Sequence, residues 1–227
     1  LKFYISWREE RKRLIGLFRG FDPLGIDSRA KQCNFSKRLA KKIHSKSPEE
    51  WMPILNQLLK KTYKDESKKM REALVFFEKY WQKNDKNFFE KLEIIFKEKI
   101  PTYNVLLSYY VAGTSDWYGE NICTNIYSYK WKKKNSHVYS LLFEVILSQV
   151  FKRIRRNKSQ KDISDEKVWS ASELSAFIIL HQEWNIFDNM QITRYKEVDN
   201  FIYDAQKIYK SAKDIDIFIE KILLLKN

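Results

Sequence analysis

The sequence predicts a mainly helical α+β fold, and three observations carry that prediction. Only five Gly and four Pro are present, too few for the closely spaced tight turns of a many-stranded sandwich or barrel. Apolar residues recur at helical spacing through most of the chain. Two short runs after residue 100, rich in branched and aromatic side chains, break that spacing and read as strands. With 227 residues, of which 44% are hydrophobic and 15% aromatic, the chain has ample core-forming material and is expected to fold rather than stay disordered. The expected organisation is an N-terminal helical region over residues 1–99 and a second part over residues 100–227 that holds the small sheet and the C-terminal helices, the two making one structural unit.

The first helix is expected over residues 2–18. Phe3, Ile5, Trp7, Leu14, Leu17 and Phe18 supply its apolar positions, and the charged block from Arg8 to Arg13 supplies a basic outer face. Gly20, Pro23 and Gly25 end it. A second helix fits residues 28–44. A third opens at Ser47, with Ser as N-cap, Pro48 at the first helical position and Glu50 completing a capping box. Pro53 follows close behind and is accepted there because the amides of the first turn lack helical acceptors anyway; this helix runs to about residue 61.

Met70, Leu74, Phe77 and Trp81, then Phe88, Leu92, Ile95 and Phe96, lie at helical spacing and predict a helical hairpin or one bent helix over residues 68–97. The character changes at Ile100 and Pro101. Residues 105–111 form a first strand, and residues 121–129, which alternate apolar and polar, form a second with one exposed face. Helix returns over residues 136–155, gives way to a polar surface loop over 157–165, and resumes over 165–184. Two further helices fit residues 195–211 and 214–225. The chain carries no internal repeat, heptad array or extended low-complexity tail.

A formal net charge of +14 and an isoelectric point near 9.5 favour polyanionic partners: nucleic acid, anionic lipid or an acidic protein. Lysine spread beside Asn and Ile is also what an AT-rich genome encodes without selection for binding. Two distant cysteines, Cys33 and Cys123, make neither a CxxC pair nor a disulfide framework. No apolar run has the length of a membrane span, and a cytoplasmic location is expected, although a chain starting at Leu1 is also what removal of a leader leaves.

The run from Ser140 to Gln149 bears the most specific signal. In a His-Glu-x-x-His helix, two histidines four residues apart grip zinc on one face, and the glutamate between them is general base to the metal-bound water. Here Phe143 and Leu147 occupy the histidine places around Glu144. A short strand pair precedes this helix, and the next helix carries Glu173 within Val168-Trp169-Ser170-Ala171-Ser172-Glu173-Leu174. Over roughly residues 80–184 this order resembles the gluzincin branch of the HExxH zinc metallopeptidases. The resemblance implies a zincin-like core, with Glu144 at the vestigial general-base position and Glu173 at the third-ligand position. It also implies loss of the standard chemistry, since Phe143 and Leu147 offer zinc no lone pair. Read without the resemblance, Leu141, Leu142, Val145, Ile146 and Val150 are a core stripe with Glu144 at its edge.

Other features compete. His137, Glu144, Glu173 and His181 would make a metal bridge if the two helices faced each other, while His44 reads as a cation at a helix C-terminus. Lys130, Trp131, Lys132, Lys133 and Lys134, with Arg153, Arg155 and Arg156, flank the Glu144 helix at its two ends and are candidate nucleic-acid contacts, cations gripping phosphates and aromatic rings stacking on bases. Asp116, Glu120 and Asn121 sit in a dense polar loop suited to ligand contacts. The expectation is a non-catalytic, metallopeptidase-like pseudoenzyme that binds a protein or peptide. The alternatives are a basic helical nucleic-acid-binding protein and, behind it, an unconventional metallohydrolase. No cofactor is expected, with zinc the one metal the resemblance leaves open.

Overall fold

The structure, a computed structural model, describes residues 1–19, 25–111, 114–115, 119–127, 136–156, 163–184 and 200–225. Its elements in chain order are β1 (Lys2–Tyr4), α1 (Trp7–Arg19), α2 (Ile26–Gln32), α3 (Lys37–Ser45), α4 (Pro48–Asp65), α5 (Ser67–Phe96), β2 (Asn104–Ser108), β3 (Thr114–Ser115), β4 (Asn121–Asn125), α6 (Ser136–Arg156), α7 (Asp165–Trp184), α8 (Ile202–Ser211) and α9 (Ile215–Leu224). The fold is therefore mainly helical with one small sheet. The chain packs as two compact units, one made of Leu1–Lys83, Asn104–Thr114 and Cys123–Lys132, the other of Asn84–Tyr103, Ser115–Ile122 and Lys133–Asn227.

The sheet has the order β1-β2-β4-β3. The strand β1 replaces the beginning of the expected first helix. It pairs in parallel with β2, Lys2 opposite Asn104, Phe3 opposite Val105 and Tyr4 opposite Leu106. Ser6 then stops the strand and starts α1: its hydroxyl accepts from the Glu9 amide at 3.3 Å and its carbonyl from the Glu10 amide at 3.0 Å, the pattern of an N-cap. The expected strands are shorter than their apolar runs, ending at Ser108 and Asn125; residues 128–129 lie outside the described residues.

The helix expected over residues 28–44 is two helices. Asn34 adopts a positive φ of 49°. The Phe35 amide donates to the Ala30 carbonyl at 2.8 Å and the Asn34 amide to the Lys31 carbonyl at 3.1 Å, a Schellman closure with Asn in the left-handed position usually held by glycine. Ser36 caps α3 through the Leu39 amide at 3.3 Å. At the head of α4, Ser47 is the N-cap but its hydroxyl makes no capping bond. The expected capping box does not form; the Ser47 hydroxyl helps hold the Glu49 carboxylate below the ordinary glutamate range, after the stronger effect of the Glu49 amide. Pro53 lies past the first turn of α4, so its missing N–H leaves the Glu49 carbonyl without a helical donor at an exposed site. The core of the first unit gathers Leu14, Phe18, Leu39, Trp51, Leu55 and Leu106, together with the unbridged thiols Cys33 and Cys123.

The two helical stretches after residue 67 are one continuous helix of 30 residues; with no Gly or Pro inside, Asn84, Asp85 and Asn87 do not interrupt it. Its first part buries Met70, Ala73, Phe77 and Trp81, and its last part buries Leu92 and Phe96. In the second unit α6 packs along α7, and α7 also packs against α8 and α9. The whole run 174–180 of α7 is buried, so this helix has no single apolar stripe; it is an interior helix. Of the expected helix over 195–211, residues 195–199 lie outside the described residues. Among the described residues, no helix is long and apolar enough to cross a membrane.

Candidate functional site

The two glutamates singled out in the sequence lie on the packed pair α6 and α7. Each is partly exposed in otherwise buried surroundings: Leu141, Leu142, Val145, Ile146 and Val150 are all buried along α6, and Glu173 interrupts the buried stretch 171–180 of α7. The expected core stripe on α6 is thus present. Neither carboxylate is without a partner. At the histidine places, the Phe143 ring packs on Tyr139 with centroids 5.3 Å apart, and Leu147 is buried at 4% exposure.

A zinc ion needs three protein ligands with lone pairs in a catalytic site. Phe143 and Leu147 provide none, and Glu144 and Glu173 alone do not suffice. Among the described residues, no group of three or more His, Cys, Asp or Glu side chains is placed to hold a metal ion. His181 stacks on Phe177 with the rings 8° from parallel, and its Nδ1 is buried without a hydrogen-bond partner. The side chain of His137 lies outside the described residues. His44 donates from Nδ1 to the Phe18 carbonyl at 2.8 Å, tying α3 to the end of α1.

The basic cluster at the C-terminus of α6 is occupied. Arg153 donates to Asp216 through Nε and, at 3.1 Å, through Nη2; its Nη1 reaches the Phe96 carbonyl at 2.8 Å and Glu98 at 3.4 Å. Arg155 binds the Asp165 carboxylate and the Ile163 carbonyl, and Arg156 binds Glu98 at 3.1 Å. The hydrogen bond from Arg153 holds the Asp216 carboxyl below the ordinary aspartate range against the opposing effect of its partial burial. These three guanidiniums fasten α6 to its neighbours, and their positive charge is largely neutralised before any phosphate arrives. Lys130, Trp131, Lys132, Lys133 and Lys134 lie outside the described residues, as does Asp116; Glu120 is exposed and Asn121 opens β4.

Two polar networks escaped the sequence reading. In the second unit, Gln149 Nε2 donates to the Tyr103 hydroxyl at 2.5 Å, that hydroxyl donates to Ser148 Oγ at 3.2 Å, and Ser148 donates to the Gly119 carbonyl at 3.4 Å. Lys152 lies over the Tyr103 ring, 5.5 Å from its centroid, and burial pushes its amine below the ordinary lysine range. Ser148 and Tyr103 are both fully buried, so this network pairs interior polar groups with one another rather than presenting its hydroxyls to solvent. Ser148 and Gln149, polar residues inside an apolar helical run, were its visible signal.

In the first unit, Glu10 is fully buried. Its Oε1 accepts from the Ser108 hydroxyl and from the Tyr110 amide at 2.6 Å; its Oε2 accepts from the Tyr63 hydroxyl at 2.5 Å and the Tyr109 amide at 3.3 Å. One carboxylate thereby closes the end of β2 and joins it to α1 and α4. Burial raises its pKa above the ordinary glutamate value, and the four donors oppose that rise. Glu10 sits inside the charged block Arg8 to Arg13, where sequence alone gives it the look of a surface residue.

No family model, curated protein or solved structure matches this chain. Functional assignment rests on the residues themselves.

Proposed function

We propose that this chain is a non-catalytic relative of the HExxH peptidases, with a zincin-like core, that acts by binding a protein or peptide partner. The observation that carries the reading is the retention of Glu144 and Glu173, partly exposed on the neighbouring helices α6 and α7, while Leu147 has been absorbed into the core at a ligand position. The two carboxylates stand on packed neighbouring helices, and the resemblance would give both a common origin. The donor set does not fit zinc, so no hydrolytic step follows from it. Partner binding would use main-chain pairing: β1 is an edge strand of the sheet, and an extended peptide adds to such an edge through backbone hydrogen bonds.

The test combines metal content, peptide cleavage and peptide capture on tag-free protein. The proposal expects no stoichiometric metal, no cleavage and saturable binding of extended peptides. Tight binding of one zinc with cleavage abolished by Glu144→Gln contradicts it, and so does failure to retain any peptide.

A further inference from the structure

We propose that the face formed by the start of α1 and the exposed side of α4 binds single-stranded nucleic acid through its phosphodiester backbone. This surface belongs to the first unit and is independent of the reading of Glu144 and Glu173. Around the partly buried Trp7 ring stand three cations: the Arg8 and Arg11 guanidiniums, each 5.6 Å from the ring centroid, and the Lys60 ammonium at 5.4 Å. Arg11 donates to Asn56 Oδ1 at 2.9 Å, which fixes α1 against α4. Beside them a shallow open groove runs along α4, lined among others by Asn56, Gln57, Lys60, Lys61, Lys64 and Asp65.

The charge on this face is available. Glu9 is taken up by Lys12 at 2.8 Å, and Asp65 is the one carboxylate lining the groove. Among the described residues, none of Arg8, Arg11, Lys60, Lys61 and Lys64 is in an ion pair. Arg153, Arg155 and Arg156 are the opposite case, each already matched by a carboxylate. Lys60 and Lys64 are four residues apart on one helix, about 6 Å along its axis, so they present charge repeatedly along a line, as a polyanionic backbone requires.

The aromatic group selects among polyanions. An indole flanked by cations offers a stacking surface to an unpaired base while Arg8 and Lys60 turn to the adjoining phosphates. A duplex keeps its bases inside the stack and cannot use the ring. A bilayer surface would need an apolar edge to insert, and Ile54 is the single large hydrophobic residue of α4 that is exposed.

Fluorescence anisotropy with a labelled oligothymidylate of about 15 nucleotides, the order of one site, tests this on the full chain. Wild-type binding is expected to weaken with salt, with a slope of log K against log salt of about −0.7 per phosphate contact. The variant Lys60→Gln/Lys61→Gln/Lys64→Gln should lose at least about tenfold in affinity and reduce the slope by about 2, with its thermal melt unchanged because all three positions are exposed. Trp7→Leu should weaken binding about tenfold while leaving most of the slope. The proposal is overturned if the triple variant binds like wild type, if removing charge from Lys130, Lys132, Lys133 and Lys134 alone abolishes binding, or if wild type prefers a duplex of equal length. Absence of oligonucleotide binding at low salt overturns it too, whether or not the protein sediments with phosphatidylserine vesicles.

Discussion

The two units each hold a charged side chain in place, by opposite means. In the first, the Glu10 carboxylate is fully buried and is met only by neutral donors, two hydroxyls and two backbone amides. In the second, Arg153 lies near the surface and is met by the carboxylates of Asp216 and Glu98. A neutral-donor cage is insensitive to salt and costly to disturb, since each lost acceptor strands a buried donor. An ion pair open to solvent contributes less and is screened. The positive charge of the chain divides as well: the Arg153 guanidinium is committed to carboxylates, whereas among the described residues Lys60, Lys61 and Lys64 are in no ion pair.

The strongest way to break the comparison is Glu10→Ala, which removes one acceptor group from four donors; we expect a loss of about 3–5 kcal/mol in urea unfolding. Glu10→Gln should cost about 1–3 kcal/mol, because either orientation of the amide sets an NH2 against a backbone N–H, that of Tyr109 or of Tyr110. Next comes Arg153→Ala, expected to cost about 1–2 kcal/mol; Asp216 at 57% exposure keeps this value low. An equal loss in Arg153→Ala and Glu10→Ala would erase the distinction.

The smaller effects sharpen it. With its folded pKa raised above 4.5, Glu10 ionises first in the unfolded chain, so its contribution falls as pH rises from about 4.5 to the folded value and is level above that. Asp216 has the opposite sign. Its folded pKa is depressed below 3.8, so its contribution is present above that value and is lost as pH falls through the folded one. Melting temperature against pH should fall less steeply in Glu10→Gln over the window that opens at about 4.5 and closes at the folded pKa, and should flatten on the acid side in Arg153→Ala. High salt should narrow the gap between wild type and Arg153→Ala and leave that between wild type and Glu10→Gln unchanged.

Much of the helical frame was legible because its signals are local. The polar bounds of α7, the apolar spacing of α5 and the start of α4 at Pro48 all lie within a few residues of what they determine. The break at Asn34 was readable in principle, since Asn followed two residues later by a capping Ser is a stop and a start, but the surrounding apolar spacing conceals it. The strand β1 was not readable: three residues pair with a partner a hundred positions away. Glu10 is the same case, its partner Ser108 lying 98 residues on. At the candidate site the sequence identified Glu144, Glu173 and the arginine cluster as residues, while two of the carboxylates that occupy the arginines, Glu98 and Asp216, lie more than fifty residues away.

The claim that α6 and α7 descend from a zinc site is tested most directly by restoring the missing ligands. Zinc stoichiometry should be measured by elemental mass spectrometry on tag-free Phe143→His/Leu147→His, beside wild type and the same double variant with Glu173→Ala, folding being checked by circular dichroism. The account predicts about one zinc per chain in the double variant, none in wild type and loss of the metal with Glu173→Ala. A folded double variant that binds no zinc, or one whose zinc is indifferent to Glu173, contradicts it.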